Sequence, residues 1–249
     1  MKFCNMQAVN QIVDTVPIPR MFRVSQHFDA PKLSTDAIGD TLHDGLHIPD
    51  ITCRITPGMS VAITAGSRMI ANYPLILRTL VEFVREQGGN PFIVPSMGSH
   101  GGATAQGQKN MLATLGVTEA SIGCPIHSSM ETVCIGKNSD GTDVHIDRFA
   151  YEADGIIVCN RIKPHNGFRA QYESGLFKMM AVGLGKQHGA EAVHASGGAG
   201  RSIPLFARVI LEKANILFGV GIIENAYDET AEIHVIRSED IPAQEPIYL

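Results

Sequence analysis

Residues 59–94 read MSVAITAGSRMIANYPLILRTLVEFVREQGGNPFIV, and this stretch indicates the fold. It opens with a short strand of buried type over 59–64. A helix is predicted over 72–87 because apolar residues recur at helical spacing before Gly88-Gly89. These apolar positions are Leu75, Leu77, Leu80, Val81 and Val84. A second apolar strand follows at 92–94, and strand, helix and strand in this order predict a parallel sheet with a crossover helix.

The rest of the chain extends this pattern. Helices are predicted over 104–115, 174–181 and 203–213, and strands over 155–160, 216–223 and 232–236. Strands at 132–135 and 143–146 predict a hairpin closed by an Asp-Gly turn. The predicted fold class is therefore α/β, with a mixed, mostly parallel, Rossmann-like sheet flanked by helices. This domain is assigned to 57–249, and the Pro-rich stretch 1–56 is interpreted as an irregular lead-in with an edge strand over 21–25.

The composition disfavours several classes of protein. A formal net charge of −5 argues against nucleic-acid binding, which depends on basic residues that neutralise phosphates. The apolar runs are too short to span a bilayer, and residues 1–7 lack the apolar core of a signal peptide. The 5 cysteines, among them Cys4, are scattered without a Cys-x-x-Cys motif. Their pattern predicts that the protein resides in a reducing cytoplasm and has neither a disulfide framework nor a structural zinc site.

Unusual loops follow three of the predicted strands, where open α/β sheets bind ligands. Arg68, after the strand 59–64, suits bidentate binding of a carboxylate, although a surface ion pair explains it equally well. His100 lies in the Gly-rich loop after 92–94, where it could act as a general base or be an ordinary exposed histidine. His165 lies in the third loop, 160–168, together with two cations.

Lys178 stands among Phe177, Met179 and Met180. In such apolar surroundings a lysine either extends its amine to water or has a lowered pKa and reacts as a nucleophile. The later segment 183–186 (GLGK) does not match a phosphate-binding Walker A loop, and no Gly-x-Gly-x-x-Gly is present. The glycine-rich stretch 196–202 suits either a phosphate cradle or a flexible linker.

Four of these segments, in this order, resemble the nickel-dependent lactate racemase family, specifically its N-terminal catalytic domain. They are 66–68 (GSR), 95–104 (PSMGSHGGAT), 160–165 (NRIKPH) and 173–180 (ESGLFKMM). The resemblance covers most of the chain from about residue 57 to 236 and is closest to the broad group of uncharacterised homologues. Several motifs in a fixed order make a specific signal.

The resemblance implies a nickel-pincer nucleotide, a pyridinium mononucleotide whose two sulfur arms and ring carbon hold nickel. By position, Lys178 matches the lysine to which the family attaches this cofactor as a thioamide, and His194 matches the nickel ligand. Ser174 and Gly175, immediately before the attachment helix, are assigned to cofactor binding on the same basis.

The same resemblance implies a racemase or epimerase of 2-hydroxyacids, which is an isomerase with a small-molecule substrate. His100 and His165 match the two acid/base histidines, and Arg68 matches the arginine that binds the substrate carboxylate. The implied mechanism is proton-coupled hydride transfer through a planar 2-keto intermediate. Two departures favour a substrate other than lactate: no acidic residue shortly precedes Arg68, and the stretch from His165 to Lys178 is longer than in the lactate enzyme.

Family members continue into a second α/β domain, so this chain is expected to be a truncated form or a fragment. Two other functions compete with a racemase. One is a nucleotide- or metal-binding module that is inactive without a second domain or partner; the other is a Schiff-base enzyme acting through Lys178. The sequence leaves a homo-oligomer open, and neither a nucleic acid nor a membrane is expected as a partner.

Overall fold

A computed structural model of the chain describes residues 6–17 and 19–249. Its main element is a five-stranded sheet formed by β1 (Ser60–Ala65), β2 (Asn90–Pro95), β5 (Gly155–Arg161), β6 (Ile216–Glu224) and β7 (Thr230–Arg237). The order of the strands across the sheet is β2-β1-β5-β6-β7. Strands β2, β1, β5 and β6 are parallel, and β7 runs antiparallel to β6. The sheet is mixed and mostly parallel, which confirms the predicted α/β class.

Helices cover both faces of this sheet. The helices in the described residues are α1 (Met6–Asp14), α2 (Thr35–Leu46), α3 (Pro49–Thr52), α4 (Tyr73–Glu86), α5 (Ala105–Thr114), α6 (Glu119–Ile122), α7 (Arg148–Glu152), α8 (Leu176–Lys178), α9 (Lys186–Ala195), α10 (Ala199–Lys213) and α11 (Ile241–Tyr248), of which α2, α4, α8 and α10 contribute to the two cores. None of the helices in the described ranges is long and apolar enough to cross a membrane.

The sheet separates two hydrophobic cores, because successive side chains of a strand point to opposite faces. In β1, Val61 and Ile63 pack with α2 and α4, whereas Ala62 faces the core formed by α8 and α10. Burial on both faces explains why the parallel strands are apolar almost throughout, as in Ile156–Cys159 of β5. The two cores fix the strand ends, where the loops of interest begin.

The hairpin of β3 (Thr132–Lys137) and β4 (Asp143–Asp147) forms as predicted, but as a separate two-stranded sheet. Asn138 organises its turn, because its Oδ1 accepts hydrogen bonds from the backbone N–H groups of Asp140 and Thr142. Gly141 adopts a φ of +80° there, a conformation that favours glycine.

The prediction of an edge strand over 21–25 is wrong. These residues pair with no strand, and Met21, Phe22 and Val24 are 90%, 86% and 69% exposed. Alternating apolar residues form a strand only where a neighbouring strand and a core face are available to them. By contrast, residues 34–52 are more ordered than expected, since α2 begins at the cap Ser34, whose hydroxyl accepts a hydrogen bond from the Ala37 N–H, and α3 follows it. Cys4 and the stretch 1–5 lie outside the described residues.

The helix predicted over 174–181 differs in form. It begins as the short α8 and continues as a π-helix over Met179–Leu184, a rare geometry that occurs often at functional sites. Helices α9 and α11 are not predicted by the sequence pattern. The former has few apolar residues, and the latter contains two prolines, Pro242 and Pro246.

Candidate active site

One cleft of about 930 Å³ lies beyond the carboxyl ends of β1, β2 and β5. Parallel strands bring these ends to one edge of the sheet, which is where open α/β sheets bind ligands. Of the residues assigned to a site from the sequence, six line the cleft: Arg68, His100, His165, Ser174, Lys178 and His194. Gly175 is buried and is not part of the lining. The structure thus brings together residues that are up to 126 positions apart in the sequence, from Arg68 to His194.

Arg68 lies in the loop that leaves β1, and contacts on either side of it fix this loop. The Gly66 N–H donates to the Tyr73 hydroxyl over 2.7 Å, and the Ala71 N–H donates to Glu224 Oε1 over 2.6 Å. The Arg68 side chain itself is exposed and has no ion pair with any described residue. Its guanidinium is therefore available to an anion that enters the cleft.

His100 lies in the loop after β2, with its Nδ1 2.5 Å from Ser67 Oγ. Partial burial lowers the pKa of His100 below its usual value, and the nearby cations Arg68 and Lys178 lower it further. At neutral pH the ring is consequently uncharged. When Nδ1–H donates to Ser67 Oγ, the Nε2 atom carries the lone pair that a general base needs.

Two residues of its own loop hold the ring of His165. The Gly167 N–H donates to Nδ1 over 3.0 Å, and the Phe168 ring stacks on the imidazole with 4.3 Å between ring centroids. The neutral ring therefore carries its proton on Nε2. Burial and the charge of Lys178 lower the pKa of His165, so this neutral form predominates near pH 7.

Glu173 shapes the loop of His165, a role that the sequence pattern does not predict. This carboxylate is only 3% exposed and accepts hydrogen bonds from the backbone N–H groups of His165 and Ala170, over 2.5 and 3.0 Å. These bonds lower the pKa of Glu173, which keeps it ionised. It lies within the segment 173–180 that carries the family resemblance, so the motif itself was the signal.

Lys178 ends α8, with its amine in the cleft between apolar neighbours. Burial lowers the pKa of Lys178, and repulsion from Arg68 and Lys163 lowers it further. Phe177, Met179 and Met180 are all buried beside it. A lowered pKa raises the fraction of free amine at neutral pH, which favours the reactive interpretation of Lys178 over a lysine that only extends to water.

The start of α8 packs against Glu245, a contact that the sequence pattern does not predict. This carboxylate belongs to α11, is 1% exposed, and accepts a hydrogen bond from the Phe177 N–H over 2.9 Å. Any side chain at position 175 would overlap Glu245 Oε1, which explains the glycine there. Gly175 therefore has a packing role in this structure, whereas Ser174 lines the cleft and joins Lys163 by two backbone hydrogen bonds.

Glu245 makes the stability of the fold depend on pH. Burial raises its pKa from 4.5 to about 7, so the folded state holds a proton that the unfolded state releases between these values. The contribution of Glu245 to the free energy of unfolding thus falls as the pH rises from 4.5 to about 7, by up to about 3 kcal/mol. We expect Glu245→Gln to remove this dependence, as measured by urea unfolding at the two ends of the range. The matched control is Glu191→Gln on the exposed face of α9, which should follow the wild type. Equal pH dependence in both variants would contradict the prediction.

His194 lies in the last turn of α9, exposed at the wall of the cleft. Within residues 6–17 and 19–249, no group of three or more His, Cys, Asp or Glu side chains is arranged to hold a metal ion. A metal at His194 would consequently need most of its donors from a bound ligand.

The cleft is strongly basic, although the chain as a whole carries a formal charge of −5. Among the residues that the structure describes, no Asp or Glu lines it, whereas five Arg and Lys residues do: Arg68, Arg161, Lys163, Arg169 and Lys178. Two of them form ion pairs with carboxylates that do not line the cleft: Arg161 pairs with Glu224, and Arg169 lies 3.6 Å from Glu173. The remaining positive charge favours an anionic ligand.

Comparison with known proteins identifies a family whose model matches this sequence and a solved structure with a similar fold. The model of the lactate racemase N-terminal domain family matches residues 21–199, well over half of the chain. The solved structure of the lactate racemase apoprotein from Thermoanaerobacterium thermosaccharolyticum is similar, with a TM-score of 0.64 and 18% sequence identity. The similarity covers 88% of this chain and 55% of that one, so this chain spans about half the length of that racemase. No curated protein matches the sequence.

Proposed function

Because the chain belongs to the lactate racemase N-terminal domain family, we propose that it forms the catalytic cleft of a 2-hydroxyacid racemase or epimerase with a nickel-pincer nucleotide. One observation carries the proposal. A single cleft gathers an amine of lowered pKa, an unpaired guanidinium and three imidazoles, which belong to Lys178, Arg68, His100, His165 and His194.

The side chains of the cleft fit the proposed cofactor. Lys178 supplies an amine suited to acylation, and His194 supplies one imidazole donor, a ligand type that suits nickel. The absence of a three-residue metal cluster in the described part of the chain is compatible with a metal held largely by its own organic ligand. The basic lining suits the phosphate and carboxylate groups of such a nucleotide. When bound, the cofactor supplies the hydride acceptor and donor.

The chain's own residues would then bind the substrate and move its proton. Arg68 pairs with the carboxylate through its guanidinium and so orients the 2-carbon. His100 accepts the hydroxyl proton at Nε2 while its Nδ1–H donates to Ser67. His165 donates a hydrogen bond from Nε2 to the substrate oxygen, and it exchanges a proton only when its ring releases the Gly167 N–H.

The direct test uses the whole chain, produced together with the enzymes that build the cofactor. We expect an increase in intact mass that corresponds to the attached nucleotide, and conversion of a single 2-hydroxyacid enantiomer to its mirror image, measured by chiral chromatography. Unmodified protein that also fails to take up synthetic cofactor would contradict the proposal. A Schiff-base enzyme would instead be trapped at Lys178 by borohydride and a carbonyl compound, without any nickel.

His194→Ala is expected to keep the covalent adduct and to weaken nickel binding by at least roughly 10–100-fold, because one imidazole donor is lost. Nickel content after dialysis, measured by mass spectrometry of the metal, checks this. The matched control is His188→Ala, an exposed histidine on the same helix but outside the cleft lining. If both variants retain nickel equally, His194 is not the ligand.

A further inference from the structure

A fully buried lysine, Lys186, lies behind the cleft wall and takes no part in the proposed chemistry. Its Nζ lies 3.1 Å from Asp147 Oδ2, and both side chains are 0% exposed. The same Nζ donates to the Pro95 carbonyl and to Gln108 Oε1, the latter over 3.1 Å. Because burial removes the hydration of both charged groups, it lowers the pKa of Lys186 and raises the pKa of Asp147.

Gln108 connects this lysine to the loop of His100. Its side chain is also fully buried, and its Nε2 donates to the carbonyl oxygens of Gly98 and His100, over 2.8 and 3.2 Å. A continuous chain of contacts therefore runs from Asp147 through Lys186 and Gln108 to His100. Lys186 itself does not line the cleft.

The backbone around Lys186 is fitted closely to the same loop. Lys186 has a φ of +53°, in the left-handed region that a non-glycine residue rarely adopts. A side chain at Gly183 would come within 2.7 Å of the Ser96 carbonyl oxygen, and the Gly98 N–H donates to the Gly183 carbonyl over 3.2 Å. The segment 183–186 thus packs against the loop of His100, with Gly183 at the cleft wall and Lys186 buried behind it.

We propose that Lys186 is a positioning residue for His100, because it fixes Gln108, which in turn holds the carbonyls of the loop that places His100 beside Ser67 at the cleft wall. The catalytic consequence rests on the proposed function, in which His100 accepts the substrate proton. The positioning itself does not, because it concerns the conformation and titration of His100 in the protein without cofactor.

The test compares Gln108→Met with Gln106→Met, a matched change on the exposed face of the same helix. The first readout is the pKa of His100 by NMR titration of the cofactor-free whole chain. In Gln108→Met the loop loosens and His100 gains water, so its pKa is expected to rise toward 6.5, whereas Gln106→Met keeps the lowered pKa. In the loaded enzyme, kcat should fall roughly 10–100-fold with KM little changed, because Arg68 still binds the substrate.

A second variant tests Lys186 itself. The double change Lys186→Met with Asp147→Asn removes the buried pair together, so no uncompensated charge remains in the core. It is expected to shift the His100 pKa in the same direction as Gln108→Met. An unchanged His100 pKa in folded Gln108→Met, or in the folded double variant, would overturn the inference. Should the double variant not fold, Gln108→Met alone decides. The His100 pKa could shift as expected in these variants while the loaded wild-type protein shows no racemase activity. That result would count against the proposed function and not against the positioning role of Lys186.

Discussion

Lys178→Ala is expected to yield protein without a covalent adduct and without racemase activity, even when the cofactor-building enzymes are present. The reason is chemical: the thioamide needs an amine, and alanine offers none. The lowered pKa of Lys178 increases the fraction of its amine that is free to react at neutral pH. Intact-mass spectrometry measures the adduct, and chiral chromatography measures the activity.

Two further variants make this result specific. Lys178→Arg keeps a cation of similar length but not the nucleophilic amine, so it should also lack the adduct. Lys163→Ala removes an exposed lysine from the same cleft and should retain the adduct. Protein that still carries the nucleotide after Lys178→Ala would exclude Lys178 as the attachment point. Thermal unfolding separates these outcomes from a plain loss of stability, which for a typical substitution is about 1 kcal/mol.

His100→Ala is expected to leave the adduct and nickel in place and to lower turnover by roughly 10²–10⁴-fold, the usual effect of removing a positioned acid/base group. Because burial and nearby cations lower the pKa of His100 below 6.5, its neutral form persists as the pH falls past that value. In the wild type, kcat/KM should therefore stay level from pH 7 to about 6.5 and decline only in more acidic solution. The decline should follow the NMR titration of His100.

The control for His100 is His43→Ala, an exposed histidine on α2 outside the cleft. It should retain wild-type turnover and the same pH profile. If His100→Ala keeps more than a tenth of the wild-type turnover, another group removes the proton, and His165 becomes the first candidate. Ser67→Ala should give a smaller loss than His100→Ala, since Ser67 only orients the ring through Nδ1.

Much of the fold follows from local pattern. The strands β1, β2, β5 and β6 lie within a residue or two of their predicted positions, because a strand buried on both faces must be apolar over its whole length. The helix α4 is predicted equally well by its apolar stripe and its glycine stop. The order of these elements was enough to place Arg68, His100 and His165 after strand ends, and hence at one edge of a parallel sheet.

The sequence by itself thus determined the main strands, the mostly parallel class of the sheet and the chemical types at the edge that carries the cleft. Tertiary structure alone decided which groups support that edge. Glu245 holds the start of the Lys178 helix from 68 residues away, and Lys186 reaches Pro95 across 91 residues. It also decided that 21–25 forms no strand, since no neighbouring strand is available to it. The physical reason is common to all three: a periodic pattern reports which face of an element is buried, whereas a buried polar contact depends on which distant segment comes to lie against it.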